Sequence, residues 1–294
     1  MSDRPTEARH PSSAGLHAAA GAEVLARLFD AQQAAVRTVG AAIPAIEAAA
    51  GAAVDSLGAG GRLIFAGAGS SGLMALADCL ELSGTFGLSP ARTPMLFAGG
   101  TAALLHMTGS VEDDTDAARA EIAALKPGGT DLVICVSASG TTPYTLAVAE
   151  AAARSGATVV GLANVAGSAL LARADIGILL ETGPEVINGS TRLGAATAQK
   201  VALNMLSVLV GIGLGHVHDG YMVNVIADNA KLRDRAARIV AALSARPIET
   251  ARAALDTAGG SVKAAVLVAR GLSAERAAQE LERTAGHLAP HLDE

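Results

Sequence analysis

The chain has 294 residues, enough for one large core or a core with a smaller lobe. Apolar residues make up 51% and charged residues 17%, which excludes a disordered chain; a formal net charge of −6 without a basic run excludes the electrostatic footprint of a nucleic-acid binder. Cys79 and Cys135 are too few for a disulfide framework, no signal-type apolar segment opens the chain, and the longest mostly apolar stretch, Val201 to Gly215, falls short of the roughly 20 residues that span a membrane.

Residues 1–15 carry charge, Pro and Ser and read as irregular. The Ala-rich run 16–56 has apolar spacing for one or two helices. "LGAGG" at 57–61 is a turn, and Arg62 opens a strand that ends at Ala66. The loop "GAGSSG" at 67–72 comes next, then a helix through about Leu82. A short strand is expected over 94–98 and a helix over 101–108. An acidic stretch at 112–116 leads into a helix ending near Leu125, and "KPGGTD" at 126–131 is a turn. The strand 132–136, the loop "SASGTTP" at 137–143, a helix over 143–155 and a strand over 158–162 make a βαβ unit whose strands are apolar without alternation, as buried parallel strands are. A further strand at 176–180, a long helix from about Thr191 to Gly213 and a helix over 221–245 complete the core pattern. The tail beyond 248 is helical, interrupted by Gly259-Gly260 and Gly271. Strands alternating with helices predict a doubly wound α/β core, with a small helical lobe at the C-terminus.

The two loops carry the chemistry. In an open parallel sheet, ligands bind beyond the carboxyl ends of the strands. Gly67, Gly69 and Gly72 allow tight turning and close approach, while Ser70 and Ser71 add hydroxyls beside a helix N-terminus with free N–H groups. The second loop offers Ser137, Ser139, Thr141 and Thr142, with Pro143 placed to start a helix. A phosphate suits this lining. Neither loop has the Lys of a nucleotide-binding P-loop. "GAGSSG" matches the dinucleotide spacing, yet no acidic residue ends the next strand. Ordinary turns and helix caps are the competing reading for each loop.

With these stretches in hand, the sequence resembles the N-acetylmuramic acid 6-phosphate etherase family, whose fold is the sugar isomerase domain. The resemblance is carried by "TEARHPSS" (6–13), "GGRLIFAGAGSSG" (60–72), "TFG" (85–87), "FAGG" (97–100), "EDD" (112–114), "SASGTTPY" (137–144), "GPEVINGSTRLGAATAQK" (183–200), "NMLS" (204–207) and "NVIADNAKLRDRAARI" (224–239). It implies an α/β three-layer sandwich with a mostly parallel, doubly wound sheet. Its parts are an N-terminal helical segment over 1–56, a phosphosugar-binding domain over 57–220 and a C-terminal helical region over 221–294. It also implies a cytoplasmic homodimer that needs no cofactor or metal and takes part in amino sugar catabolism and peptidoglycan recycling. The implied reaction is lyase-type removal of the D-lactyl ether at C3. Two family glutamates fall on Glu81, in "DCLELSGTFG" (78–87), and on Glu112, in "GSVED" (109–113). The chain departs from the family pattern at Leu73 and Thr141, where arginines are usual, at Gly109 in place of a glutamate, and at Gly194 in place of a lysine. Loss of two fork-shaped cations keeps two other readings in play, a phosphosugar sensor without catalysis and a sugar-phosphate isomerase.

The reaction itself demands two carboxyl groups. An ether at C3 lies β to the C1 aldehyde of the open-chain sugar. An ionised carboxylate removes the C2 proton, and a protonated one assists the departing oxygen. Glu81, flanked by Leu80 and Leu82, is assigned as the acid on the expectation that its neighbours desolvate it, and Glu112 as the base; the reverse assignment stays open. Helix-surface charge is the competing reading for each. Glu185, Asn188, Ser190 and Thr191 precede the long helix and either reach the sugar or cap that helix. Lys231 is a candidate phosphate ligand or a solvated helix lysine. His216 and His218 lack a third nearby metal ligand.

Overall fold

The computed structural model describes residues 5–292. Residues 1–4, part of the stretch expected to be irregular, lie outside the described residues. From Pro5 that stretch consists of short 3-10 turns joined by bends. Helices α1 (Gly21–Arg37) and α2 (Ile43–Gly58) occupy the Ala-rich run. Five strands come next with helices between them: β1 (Leu63–Gly67), α3 (Gly69–Phe86), β2 (Met95–Phe97), α4 (Gly100–Leu105), α5 (Thr115–Leu125), β3 (Leu132–Ser137), α6 (Pro143–Arg154), β4 (Thr158–Ala163), α7 (Ala169–Arg173) and β5 (Ile176–Leu179). Helix α8 (Gly194–Gly213) leads to a two-stranded hairpin of β6 (Val217–His218) and β7 (Tyr221–Met222). Four more helices end the chain: α9 (Ala230–Ser244), α10 (Ile248–Thr257), α11 (Val262–Ala269) and α12 (Ala274–Arg283).

The five strands form one parallel sheet in the order β2-β1-β3-β4-β5. Every residue of β1 and β3 is buried, which explains why their sequences do not alternate. Ile64, Ala66, Val133, Cys135 and Val159 face a core shared with α5, α6 and α7. Helix α2 packs on β1, β3 and β5 through Ile46, Ala49, Ala50 and Ala53. Alanine at these positions lets the helix lie close to the sheet. Cys135 is fully enclosed, and burial pushes its thiol up to about 12, so it behaves as a small apolar residue.

The chain separates into two compact units, one comprising residues 1–79 and 91–207, the other 80–90 and 208–294. The division passes through α3 and α8, so the N-terminal helices belong with the sheet. The second unit has its own core, in which Val240, Ala251, Val266 and Ala277 bring together α9, α10, α11 and α12. Helices α9, α11 and α12 start on Asn229, Ser261 and Ser273, whose side chains each accept a backbone N–H of the first turn.

Two expectations need correction. The helix predicted over 221–245 begins only at Ala230. Tyr221–Met222 pairs with Val217–His218 instead, through a turn in which Asp219 and Gly220 both take positive φ (46° and 75°). Also, the apolar stretch near 201–215 belongs to a 20-residue helix, α8, which by length and composition alone reaches membrane-spanning size, as does the Gly21–Gly58 stretch; 56% of the apolar window of α8 is packed inside the protein.

Beside the hairpin, the Lys263 ammonium is buried and donates to the carbonyls of Gly215 (3.2 Å) and Gly286 (3.0 Å). Burial, reinforced by the charge of Lys263, lowers His216 to about 4 from an ordinary 6.5. The unfolded chain therefore takes up a proton as pH falls below about 6.5 while the folded chain does not. The contribution of His216 to stability is fully present above that pH and is lost as pH falls toward 4, at up to about 1.4 kcal/mol per pH unit. Urea titrations of wild type and His216→Asn between pH 7 and pH 4.5 should show a shallower loss in the variant. Equal slopes would remove His216 as the source.

Candidate functional site

The strand order places a topological switch point between β1 and β3, because the chain leaves β1 toward β2 and resumes on the other side with β3. The loops at 67–72 and 137–143 lie at the ends of these two adjacent strands. Their close spacing explains the glycines. A Cβ on Gly67 would lie 2.9 Å from Gly72 Cα and 3.2 Å from the Val136 carbonyl oxygen, and one on Gly72 would lie 2.8 Å from the ring of Phe97. Gly69, which opens α3, has a φ of +54°.

The loops are also bonded to each other. Ser71 Oγ accepts the Ala138 N–H across them (3.1 Å). Within the second loop, buried Ser137 accepts the Gly140 N–H (3.1 Å), and its hydroxyl pairs with that of Thr142 (2.8 Å). Ser139 Oγ accepts both the N–H (3.2 Å) and the hydroxyl (3.0 Å) of Thr141. These bonds hold the hydroxyls in place while Ser70, Ser139, Thr141 and Thr142 stay half-exposed. Pro143 is the first residue of α6, as its position in the sequence implies.

Glu112 joins this mouth. It sits on a 3-10 turn, Gly109–Asp113, and a Cβ on Gly69 would lie 2.5 Å from its Oε1. Burial, then the charge of Asp113, raises its pKa above the usual carboxylate value. Nearby Asp114 has a structural role, capping α5 by accepting the Ala117 N–H.

The remaining candidates are more scattered. Glu81 lies on α3 and is exposed, as is its neighbour Leu80 (67%), so the cover expected from its flanking leucines is not there. Glu185 is buried and caps α8, its two oxygens accepting the N–H groups of Gly194 (2.9 Å) and Ala195 (2.8 Å). A side chain at Gly194 would crowd that cap, with its Cβ 3.2 Å from Glu185 Oε2 and 3.0 Å from Ala35 Cβ. Ser190 is half-buried in the turn before α8, and Lys231 is exposed in the first turn of α9. Among the described residues no group of three His, Cys, Asp or Glu is arranged to hold a metal ion.

Two polar clusters are not apparent from the sequence pattern. Asn164, just past β4, donates its backbone N–H to the Ala138 carbonyl in the second loop (2.9 Å). Fully buried Gln199 donates to Asn164 Oδ1 (2.8 Å), and Asn164 donates to Thr182 (3.2 Å). The other cluster surrounds Asp78 on α3. Its Oδ1 accepts from Asn204 (2.6 Å) and Ser207 (3.3 Å) and lies 3.5 Å from Lys200 Nζ. Burial raises the Asp78 pKa, and Lys200 opposes that rise. Both Gln199 and Lys200 lie in "TAQK", the signal from which they were recoverable.

A SIS domain model matches residues 29–164. N-acetylmuramic acid 6-phosphate etherase of Deinococcus radiodurans is 47% identical over 285 residues, covering 97% of this chain and 93% of that one. The chain belongs to the N-acetylmuramic acid 6-phosphate etherase family. The relative of the same name from Streptomyces avermitilis is 42% identical over 285 residues, covering 96% and 91% of the two chains. Among solved structures, a phosphoheptose isomerase from Francisella tularensis aligns with a TM-score of 0.49 at 23% identity, over 65% of this chain and 98% of that one.

Within this family member, the bond from Ala138 N–H to Ser71 is the direct test of how the two loops are held. Ser71→Ala leaves a buried donor without its acceptor and should cost about 1–3 kcal/mol. Urea denaturation should show a lower midpoint with an unchanged slope. An unchanged midpoint would mean that the loops are held by other contacts.

Proposed function

We propose that this chain cleaves the C3 ether of N-acetylmuramic acid 6-phosphate, giving N-acetylglucosamine 6-phosphate and D-lactate. The observation that carries this reading is 47% identity, along 97% of the chain, to a protein named for that substrate and bond. The site chemistry supports it. The hydroxyls of Ser70, Ser71, Ser137, Ser139 and Thr142, with the N-terminus of α3, form the binding mouth for the 6-phosphate. Ser190 and Lys231 are further phosphosugar ligands in this proposal. Glu185 contributes by holding the start of α8.

Glu112 is the base. A carboxylate whose pKa is raised by burial and a neighbouring charge is a stronger proton acceptor than an ordinary one. It removes the C2 proton of the open-chain aldehyde. The electron pair forms the C2–C3 double bond and expels the C3 oxygen, which leaves as the lactate hydroxyl with a proton from Glu81. Water then adds at C3, and a proton returns to C2. The equation balances with one water consumed and needs no redox partner. The protein works as a cytoplasmic homodimer.

Purified protein incubated with N-acetylmuramic acid 6-phosphate should release D-lactate, monitored by NMR. An isomerised sugar phosphate as the product would replace this reading with the isomerase. Phosphosugar binding with neither C2 exchange nor lactate would replace it with the sensor, and would point first to Leu73 and Thr141. For the two glutamates, Glu112→Gln and Glu81→Gln should each lower lactate release by at least about 100-fold. In deuterated water, Glu81→Gln should retain exchange of the C2 proton and Glu112→Gln should lose it. The opposite pattern would exchange their roles, and near-normal release in either variant would remove that residue from the mechanism.

A further inference from the structure

Two stretches that stand out in the sequence, "TFG" at 85–87 and the start of "NVIADNAKLRDRAARI" at 224–239, meet inside the second unit. Residues 80–90, which carry Glu81 and the last turns of α3, belong to that unit. The helix stops at Gly87, which has a φ of +67° and donates its N–H to the Ser83 carbonyl (2.9 Å). A helix end leaves carbonyls without helical partners. That of Phe86 is taken by Asn224, whose Nδ2 donates to it (2.8 Å). The approach is so close that a Cβ on Gly87 would lie 2.6 Å from both the Nδ2 and the backbone oxygen of Asn224. The Phe86 ring is held as well: it is packed against Gly211, where a Cβ would lie 2.7 Å from it.

Asn224 is itself fixed. Its neighbours Val223 and Val225 are buried in the core of the helical unit, and the Val223 N–H donates to the His216 carbonyl (3.0 Å). On α3, Leu82 and Phe86 are four residues apart and form one buried stripe, beside which Glu81 is exposed. The buried stripe sets the rotation of this part of the helix, and the bond from Asn224 ties down its end. General acid catalysis needs such a fixed position, because a misplacement of about 1 Å costs on the order of 100-fold in rate. We infer that Asn224 is a positioning residue for Glu81: by holding the Phe86 carbonyl it keeps the last turns of α3 in place, so that the exposed carboxyl meets the departing C3 oxygen. This inference rests on the etherase reading, with Glu81 as the acid.

The test compares Asn224→Ala in the full chain with the same substitution in a Glu81→Gln background, using N-acetylmuramic acid 6-phosphate in deuterated water. Alone, Asn224→Ala should lower lactate release by at least about 10-fold while exchange of the C2 proton, assigned to Glu112, stays within about threefold of wild type. In the Glu81→Gln background it should cost less than about twofold more, because the group it positions is already gone. Asn224→Asp, which keeps the shape and loses the amide donor, should repeat both results and guards against a cavity effect. Equal losses of lactate release in the two backgrounds, or loss of exchange in step with lactate in both the Ala and Asp variants, including loss through misfolding, would make Asn224 a structural residue and overturn the inference alone. A wild type that releases no lactate would overturn the etherase reading and this inference with it.

Discussion

The site depends on how closely the two loops at the end of the sheet approach. Gly67 and Gly72 lie so near each other, Val136 and Phe97 that side chains there would collide with backbone or ring atoms. This contact lets Ser71 accept the Ala138 N–H and makes one ligand mouth from the segments after β1 and β3. The strand order supplies the position, because the chain's progress across the sheet reverses between β1 and β3 and opens a crevice there. Glu112 is brought to the mouth by the same closeness: Gly69, without a side chain, leaves room for its carboxyl.

Partial burial of Glu112 beside Asp113 links packing to chemistry. A carboxylate in open water is a poor acceptor for a carbon-bound proton, and removing solvent is the simplest way to improve it. The environment of Asp78 is perturbed in the same direction, but its Oδ1 is engaged with Asn204, Ser207 and Lys200. That cluster holds α8 to α3, a structural use of a buried charge. Glu185, satisfied by the first N–H groups of α8, is another. The two kinds of acid look alike in sequence, and their partners separate them.

Most of the sheet was legible in the sequence because fully buried parallel strands read as short apolar runs. The five expected strands agree with the observed ones to within about a residue at each end. The loops were legible because Gly, Ser and Thr directly after a strand combine a tight turn with hydroxyls at the sheet's carboxyl end. The hairpin was missed, although His218-Asp219-Gly220-Tyr221 carries an Asp-Gly turn signal, because apolar residues at 221–226 extended the pattern of the helix after them. Local pattern reports periodicity, and here a two-residue turn overrode it. The contact between Gln199 and Asn164 was missed for a different reason: although Gln199 stands in the distinctive "TAQK" segment, its partner is 35 positions away, which no local spacing reveals. The burial expected for Glu81 failed because flanking leucines do not guarantee cover; Leu80 itself is exposed on α3.

Lys263 has a consequence for how the second unit can be observed. Its ammonium is enclosed by the Gly215 and Gly286 carbonyls, while Lys126 and Lys231 are exposed and the Lys200 side chain is 31% exposed. An amine-reactive reagent therefore meets an unequal set of targets, with Lys263 shielded as long as the carbonyls on either side of it stay in place. Its acylation would mark the moments when this unit opens, making one side chain a chemical clock for local breathing of the helical lobe.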